Sequence, residues 1–179
     1  MNEPEVRDSF FTPSKFWKRE LWIFLAGLVS GAGLILIIGV MYLRSHLIEE
    51  YHSDMPFEAA VSALPDKTIE LFPNTWTVTR DSCALNELPD GRRMVLYRLC
   101  NRQYAHQLLA APDDRRAAAI VPCPFALFEH SDGTAGLVRF NLSFLGRILG
   151  GAPAAVFPDE VAPDQEKLLK ELGFVFCKK

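Results

Sequence analysis

The sequence lacks the spacings that announce most chemistry. It holds no CxxC pair, no HExxH or HxH, no GxSxG elbow, and no Walker or dinucleotide-binding glycine loop. Those absences remove the thioredoxin, zinc-ribbon, zinc-protease, serine-hydrolase and nucleotide-binding readings. Positive charge is also scarce: 19 Lys and Arg face 22 Asp and Glu, a net charge of −3. With no basic stripe, nucleic acid is not an expected partner. Internal repeats and low-complexity runs are absent, and Pro and Gly cluster only at breaks such as Pro112-Asp113-Asp114 and Gly150-Gly151-Ala152-Pro153.

What the chain has is one long apolar run. Leu21 to Leu43 contains no charged side chain over 23 positions. As a helix it would rise about 34 Å, enough to cross a hydrocarbon core about 30 Å thick. The run is longer than the ~7–15 apolar residues of a cleaved signal peptide and ends in Val-Met-Tyr-Leu-Arg, a poor cleavage site. An uncleaved anchor is expected, with Trp17 and Trp22 at one interface and Tyr42 at the other. Arg7, Lys15, Lys18 and Arg19 precede the run, whereas Arg44 alone follows it closely, beside Glu49, Glu50, Asp54 and Glu58. That asymmetry puts the N-terminus in the cytoplasm. The expected organisation is a cytoplasmic tail (1–20), a transmembrane helix (21–43) and an exported domain (44–179), single-pass in a bacterial inner membrane with the domain periplasmic. Inside the run, Gly27 and Gly31 form a GxxxG step, flanked at the same spacing by Ala26 and Ser30. Small residues on one face let a second helix approach closely, though glycine is common in membrane helices in any case.

The 136 residues after the run suffice for one domain with a core. Ser45 to His52 could continue the helix or start a strand. Met55 to Leu64 reads as a short amphipathic helix, with Asp54 as N-cap and Pro56 in its first turn. Thr75 to Thr79 alternates as a strand. Arg92 to Leu99 reads as a strand with Met94, Leu96 and Arg98 on one face and Val95, Tyr97 and Leu99 on the other. Asn101 to Ala111 is helical in pattern, Ala118 to His130 is a long β-type run, and Ser131-Asp132-Gly133 turns it back into a strand from Thr134 to Phe140. Helices follow over Leu142 to Leu149 and over Asp164 to Leu172, the latter ending at Gly173. The order β-α-β-β-α-β-β-α-α predicts an α+β fold, a small antiparallel sheet with helices packed on it. The apolar residues of Pro122 to Phe128 and Phe140 to Phe157 are expected to be mostly core.

Two segments carry a resemblance. Val95-Leu96-Tyr97-Arg98-Leu99-Cys100-Asn101 delivers Cys-Asn at the start of a helix. Ala119-Ile120-Val121-Pro122-Cys123 leads into Phe125-Ala126-Leu127-Phe128-Glu129 and the Asp132-Gly133 turn. With Leu108-Leu109-Ala110-Ala111-Pro112 between them, they resemble the bacterial domain-of-unknown-function family numbered 302, over roughly residues 48–175. The resemblance implies a small antiparallel-sheet domain, often a dimer, and no particular reaction. The chain departs from the family pattern at Arg102, where Cys-Asn-Pro is usual, and at Pro124, where Asn is frequent. The membrane anchor is an addition to the basic domain.

Cys83, Cys100, Cys123 and Cys177 have three readings: buried structural thiols, a disulfide allowed by export, or an active site. Cys100, at the start of a helix, is where a lowered thiol pKa is expected. Cys100, Asn101 and Cys123 are therefore the candidate ligand or redox residues. His46 and His52 are expected to be solvated, and His106 lies six residues after Cys100; no metal site, cofactor or catalytic residue is expected. Asp113-Asp114-Arg115-Arg116 reads as a solvated turn. Two functions stay open. One is a non-catalytic accessory subunit of an inner-membrane complex, respiratory or redox by family analogy, docking through Ala26, Gly27, Ser30 and Gly31 and through its periplasmic domain, with an integral membrane protein complex or a second copy as partner. The other is a membrane-tethered ligand-binding or thiol redox module. An enzyme is the less favoured reading.

Overall fold

The computed structural model describes residues 15–81 and 87–177, with side chains from residue 19. The Trp17 side chain, Cys83 and the first fourteen residues of the expected tail lie outside the described residues. The chain divides into two units, Met1–Leu43 and Arg44–Lys179.

The first unit is built on helix α1, Lys15–Leu47. Its Arg19–Leu47 stretch is long and apolar enough to cross a membrane, and none of it is buried. The helix outruns the apolar run at both ends because no Pro or Gly breaks it between residues 15 and 20 or 44 and 47. Ser45 to His52 does both things the sequence allowed: Leu47 ends the helix and Ile48 opens a strand.

The second unit is a six-stranded antiparallel sheet with helices on it. The strands are β1 (Ile48–Pro56), β2 (Trp76–Arg80), β3 (Met94–Asn101), β4 (Cys123–Glu129), β5 (Thr134–Phe140) and β6 (Val175–Phe176), in spatial order β2-β3-β4-β5-β1-β6. The helices are α2 (Phe57–Leu71), α3 (Arg102–Leu109), α4 (Leu142–Leu149), α5 (Pro153–Val156) and α6 (Ala162–Glu171). Each β3 residue alternates between faces, so Val95, Tyr97 and Leu99 are buried while Met94, Leu96 and Arg98 are not. The core sits between the sheet's inner face and the helices, where Phe125, Leu127 and Leu137 pack with Phe57, Leu64, Leu108, Leu168 and Leu169.

Several local expectations are corrected. Asp54 belongs to β1, and α2 begins at Phe57 behind Pro56, which makes no side-chain cap. The helix does not stop before Pro65 but runs seven residues further than Leu64, to Leu71. Proline has no N–H for the carbonyl four residues back. Here that carbonyl, Val61 O, accepts a 2.8 Å bond from the Tyr97 hydroxyl instead. The β-type run from Ala118 is broken: Pro112–Ala119 is a 3₁₀ segment, Val121-Pro122 is cis, and β4 starts only at Cys123. Alternation in β4 sends Phe125 and Leu127 inward and Pro124, Ala126 and Phe128 outward, so that apolar stretch is only half core.

The Gly-Gly-Ala-Pro break is present, but helical structure resumes at Pro153 and passes through a π-helical turn at Phe157–Val161 before α6. Asp114 is buried rather than solvated; its Oδ2 accepts a 3.1 Å bond from Ala152 N. Gly151 makes that possible, since its φ is +58° and a Cβ there would lie 2.0 Å from Asp114 Oδ1. The short β6 has too little alternation to be seen in sequence.

Candidate functional site

Three places in the structure bear on function. The first is the thiol region. Cys123 begins β4 opposite Leu99 on the inner face and is buried, while Cys100 is the next residue along β3 and is partly exposed. Asn101 is buried and is the N-cap of α3: its Oδ1 accepts from Gln103 N at 2.9 Å and Tyr104 N at 3.3 Å. The Cys-Asn pair thus ends a strand and starts a helix, and the asparagine fills the helix terminus that a ligand would need.

Cys100 and Cys123, with Trp76, Tyr104, Leu108 and Val161, line a cavity of only about 10 Å³. That is room for about one water molecule and for no larger ligand. Burial pushes the Cys123 thiol up to about 12. The Cys100 thiol is also raised by burial, which the nearby Arg102 only partly opposes, so the lowering expected from the helix terminus is reversed. Cys100, Cys123 and Cys177 are all free thiols.

The second place is a buried polar network that the sequence reading missed. Arg139, on the inner face of β5, is 5 % exposed. Its Nε donates to Glu49 Oε2 at 2.9 Å, one terminal nitrogen to the Tyr51 hydroxyl at 2.8 Å and the other to Gln165 Oε1 at 3.0 Å. The Tyr51 hydroxyl in turn donates to Glu49 Oε2 at 3.0 Å. Burial pushes the Tyr51 phenol up to about 12 against the lowering by Arg139. Gln165, in α6, is 2 % exposed, and its Nε2 finds no hydrogen-bond partner, although Gln165 lies close enough to Cys123 to lower its thiol slightly. An arginine at an inward β5 position is the one signal that could have exposed this network, because a buried guanidinium needs a carboxylate. An adjoining cleft of about 470 Å³ is lined by Glu49, Tyr51, Glu166, Lys170 and Phe176.

The third place is the outer face of the sheet. Strand register sets Arg98, Pro124, Phe140 and Ile48 in one row across β3, β4, β5 and β1, and Leu96, Ala126, Val138 and Glu50 in the next. Ile48, Leu96, Ala126, Phe128 and Val138 stand outside the core cluster that the inner face and helices form. A shallow depression of about 160 Å³ lies among Ile48, Leu96, Pro124, Ala126, Val138 and Phe140. The charged rim holds Arg98, bonded through Nε to Asp81 Oδ2 at 2.9 Å, and Glu50 on the opposite side.

In α1, Ala26, Gly27, Ser30 and Gly31 are exposed, and a Cβ added at either glycine would meet nothing within 4 Å. His52 is partly exposed, and its ring centroid lies 5.1 Å from that of His130, whose own ring stacks edge-on to Phe128. Among the described residues no group of three His, Cys, Asp or Glu is placed to hold a metal ion.

The order of strands and helices has a counterpart among solved structures. An uncharacterised conserved DUF302 protein from Bacillus stearothermophilus aligns with a TM-score of 0.51 over 71 % of this chain and 95 % of its own, at 16 % identity. The domain has the DUF302 fold. At that identity the likeness extends to architecture and not to chemistry. No protein-family model matches the sequence, and no curated protein does.

Proposed function

We propose that the chain is a single-span membrane protein acting as a non-catalytic accessory subunit of a bacterial inner-membrane complex. In this reading the N-terminus is cytoplasmic, the DUF302-fold domain is periplasmic, and docking uses the small-residue face of α1 and the domain's open sheet surface. The observation that carries the reading is that open face. An antiparallel sheet with one solvated side ordinarily alternates apolar-in and polar-out. Here the outward positions Leu96, Ala126, Phe128 and Val138 are apolar as well. These positions are half-buried rather than fully exposed, and the largest apolar patch on a folded domain is often a functional surface, which supports docking there.

The thiol module has less support. Its two cysteines enclose no ligand-sized space, and both thiols are raised away from the reactive thiolate. The orientation rests on Arg7, Lys15, Lys18 and Arg19 before the span against Arg44 after it.

The test replaces Gly27 and Gly31 with Leu in one variant and Val138 with Arg in another, and follows co-purification from membranes in mild detergent. The reading expects each variant to stay folded and membrane-bound while losing its partner. Full retention of the partner by both would overturn it.

A further inference from the structure

We propose that helix α4 lies on the membrane surface and seats its outward side chains, Phe144, Arg147 and Ile148, among anionic phospholipid headgroups. The proposal rests on the single-span reading above and adds a second contact with the bilayer. Helix α4 is apolar nearly all round: Leu142, Phe144, Leu145, Ile148 and Leu149 are large and apolar, and Arg147 is its one charged residue. Leu142 is buried, and Leu145 and Leu149 pack against the core. Phe144 and Ile148, one turn apart on the other side, stand outside that core, and Ile148 is 55 % exposed. A helix apolar on every side is ordinarily enclosed on every side. The domain encloses α4 on one side.

The occupant of the other side follows from where α4 starts. The carbonyl of Leu47, the last residue of α1, accepts a 3.0 Å bond from Asn141 N, the residue that caps α4. The His46 ring centroid lies 6.0 Å from that of Phe144. Leu47 stands four residues beyond Leu43, where the apolar run ends. In a helix those four residues rise about 6 Å. The headgroup layer on each side of a bilayer is about 5–8 Å thick. The start of α4 is therefore tethered at headgroup depth or just above it.

Charge fits the same surface. The whole chain carries a net charge of −3, yet from Gly133 to Pro158 it has no Asp or Glu, and Arg147 is the exposed charge of that stretch. Arg116 adds a second cation at the far end of α4, where its Nη2 donates to Leu149 O at 2.7 Å. An apolar pair flanked by arginine is the pattern of a helix that lies in the interface, with the charged head reaching phosphate. So small an apolar face does not anchor a protein alone. The span holds the chain in the bilayer, and α4 sets which way the domain faces.

The experiment reconstitutes the full chain, at low density, in vesicles of phosphatidylcholine with about 30 % phosphatidylglycerol as the anionic lipid. A nitroxide is placed at I148C or, as a control, at S131C in the exposed turn at the other end of β5. Both are made in a C83S/C100S/C177S chain, whose remaining Cys123 is buried. Collision with a water-soluble nickel chelate and with oxygen, which concentrates in lipid, is then measured. The Ile148 label should be about fivefold less open to the chelate than the Ser131 label and remain open to oxygen. Adding R147E, or using phosphatidylcholine alone, should each raise its chelate access about twofold to threefold. Circular dichroism checks the fold of every variant.

Equal chelate access at the two positions would overturn the proposal. Loss of both chelate and oxygen access at Ile148 would also overturn it, because a protein surface would then cover α4. Protection unmoved by R147E and by removal of phosphatidylglycerol would overturn the assignment to anionic headgroups. Flotation with the vesicles after an alkaline wash tests the span separately: a chain that fails to float overturns the single-span reading as well, whereas one that floats with Ile148 open to the chelate overturns the α4 surface alone.

Discussion

Replacing Arg139 with Met tests whether the buried network is a strut of the fold. The guanidinium is held by Glu49, Tyr51 and Gln165 at 2.8–3.0 Å. Methionine keeps most of the volume and removes every donor. Glu49 is left with only the Tyr51 hydroxyl from this network, and Gln165, already missing a partner for Nε2, loses the one for Oε1. Breaking one side of a buried ion pair costs about 3–5 kcal/mol. An orphaned buried amide costs about 1–3 kcal/mol. The two overlap, so a loss of about 4 kcal/mol is expected. Against a total of about 0.05–0.15 kcal/mol per residue, that is a large share of the domain's stability.

The triple variant R139M/E49Q/Q165L removes the charges and the orphans together and should regain most of the loss. Urea unfolding of the full chain in detergent, read by the emission of the buried Trp76 (6 % exposed), gives the numbers. A loss below about 1 kcal/mol in R139M would refute the reasoning, since a group so bonded and so buried cannot be silent if it supports the fold.

Other outcomes follow from the same geometry. In the folded chain a maleimide at neutral pH should modify Cys100 and Cys177 and leave Cys123 unreacted until unfolding, read by intact-mass spectrometry; rapid labelling of Cys123 would revive the thiol-site reading. Tyr97→Phe should cost about 1–2 kcal/mol in the urea assay, because the Val61 carbonyl opposite Pro65 loses its donor. Tyr51 and Tyr104, both pushed up from 10.0 to about 12 chiefly by burial, hold their protons more tightly folded than unfolded. The stability they add is complete below pH 10 and is lost as pH rises from 10 toward 12, so melting temperature should fall across that window and fall less in Tyr51→Phe.

The sheet was legible wherever a strand alternates on both sides of a clear turn. Met94 to Leu99 has that pattern, and its faces are as the alternation requires; Thr134 to Phe140 was legible from the turn before it, but not its faces, since Gly136 and Arg139 are both buried. The errors arose where a tertiary partner overrode a local signal. Pro65 should have ended α2, but Tyr97, 32 residues away in the chain, supplies the missing donor. Asp114 looked solvated because nothing nearby announces that the glycine at 151 will fold over it. Asn101 is a candidate ligand residue by sequence, and in the structure its side chain caps α3. The Arg139 network was invisible because its members lie at residues 49, 51, 139 and 165 and meet only once the sheet is assembled.

The central claim, an accessory subunit that docks rather than catalyses, is tested most directly by extracting a tagged full-length chain in mild detergent and weighing it by native mass spectrometry. The account predicts a stoichiometric larger assembly containing at least one other integral membrane protein. A lone chain or lone pair of copies carrying a bound small molecule or metal in the mass excess would contradict it.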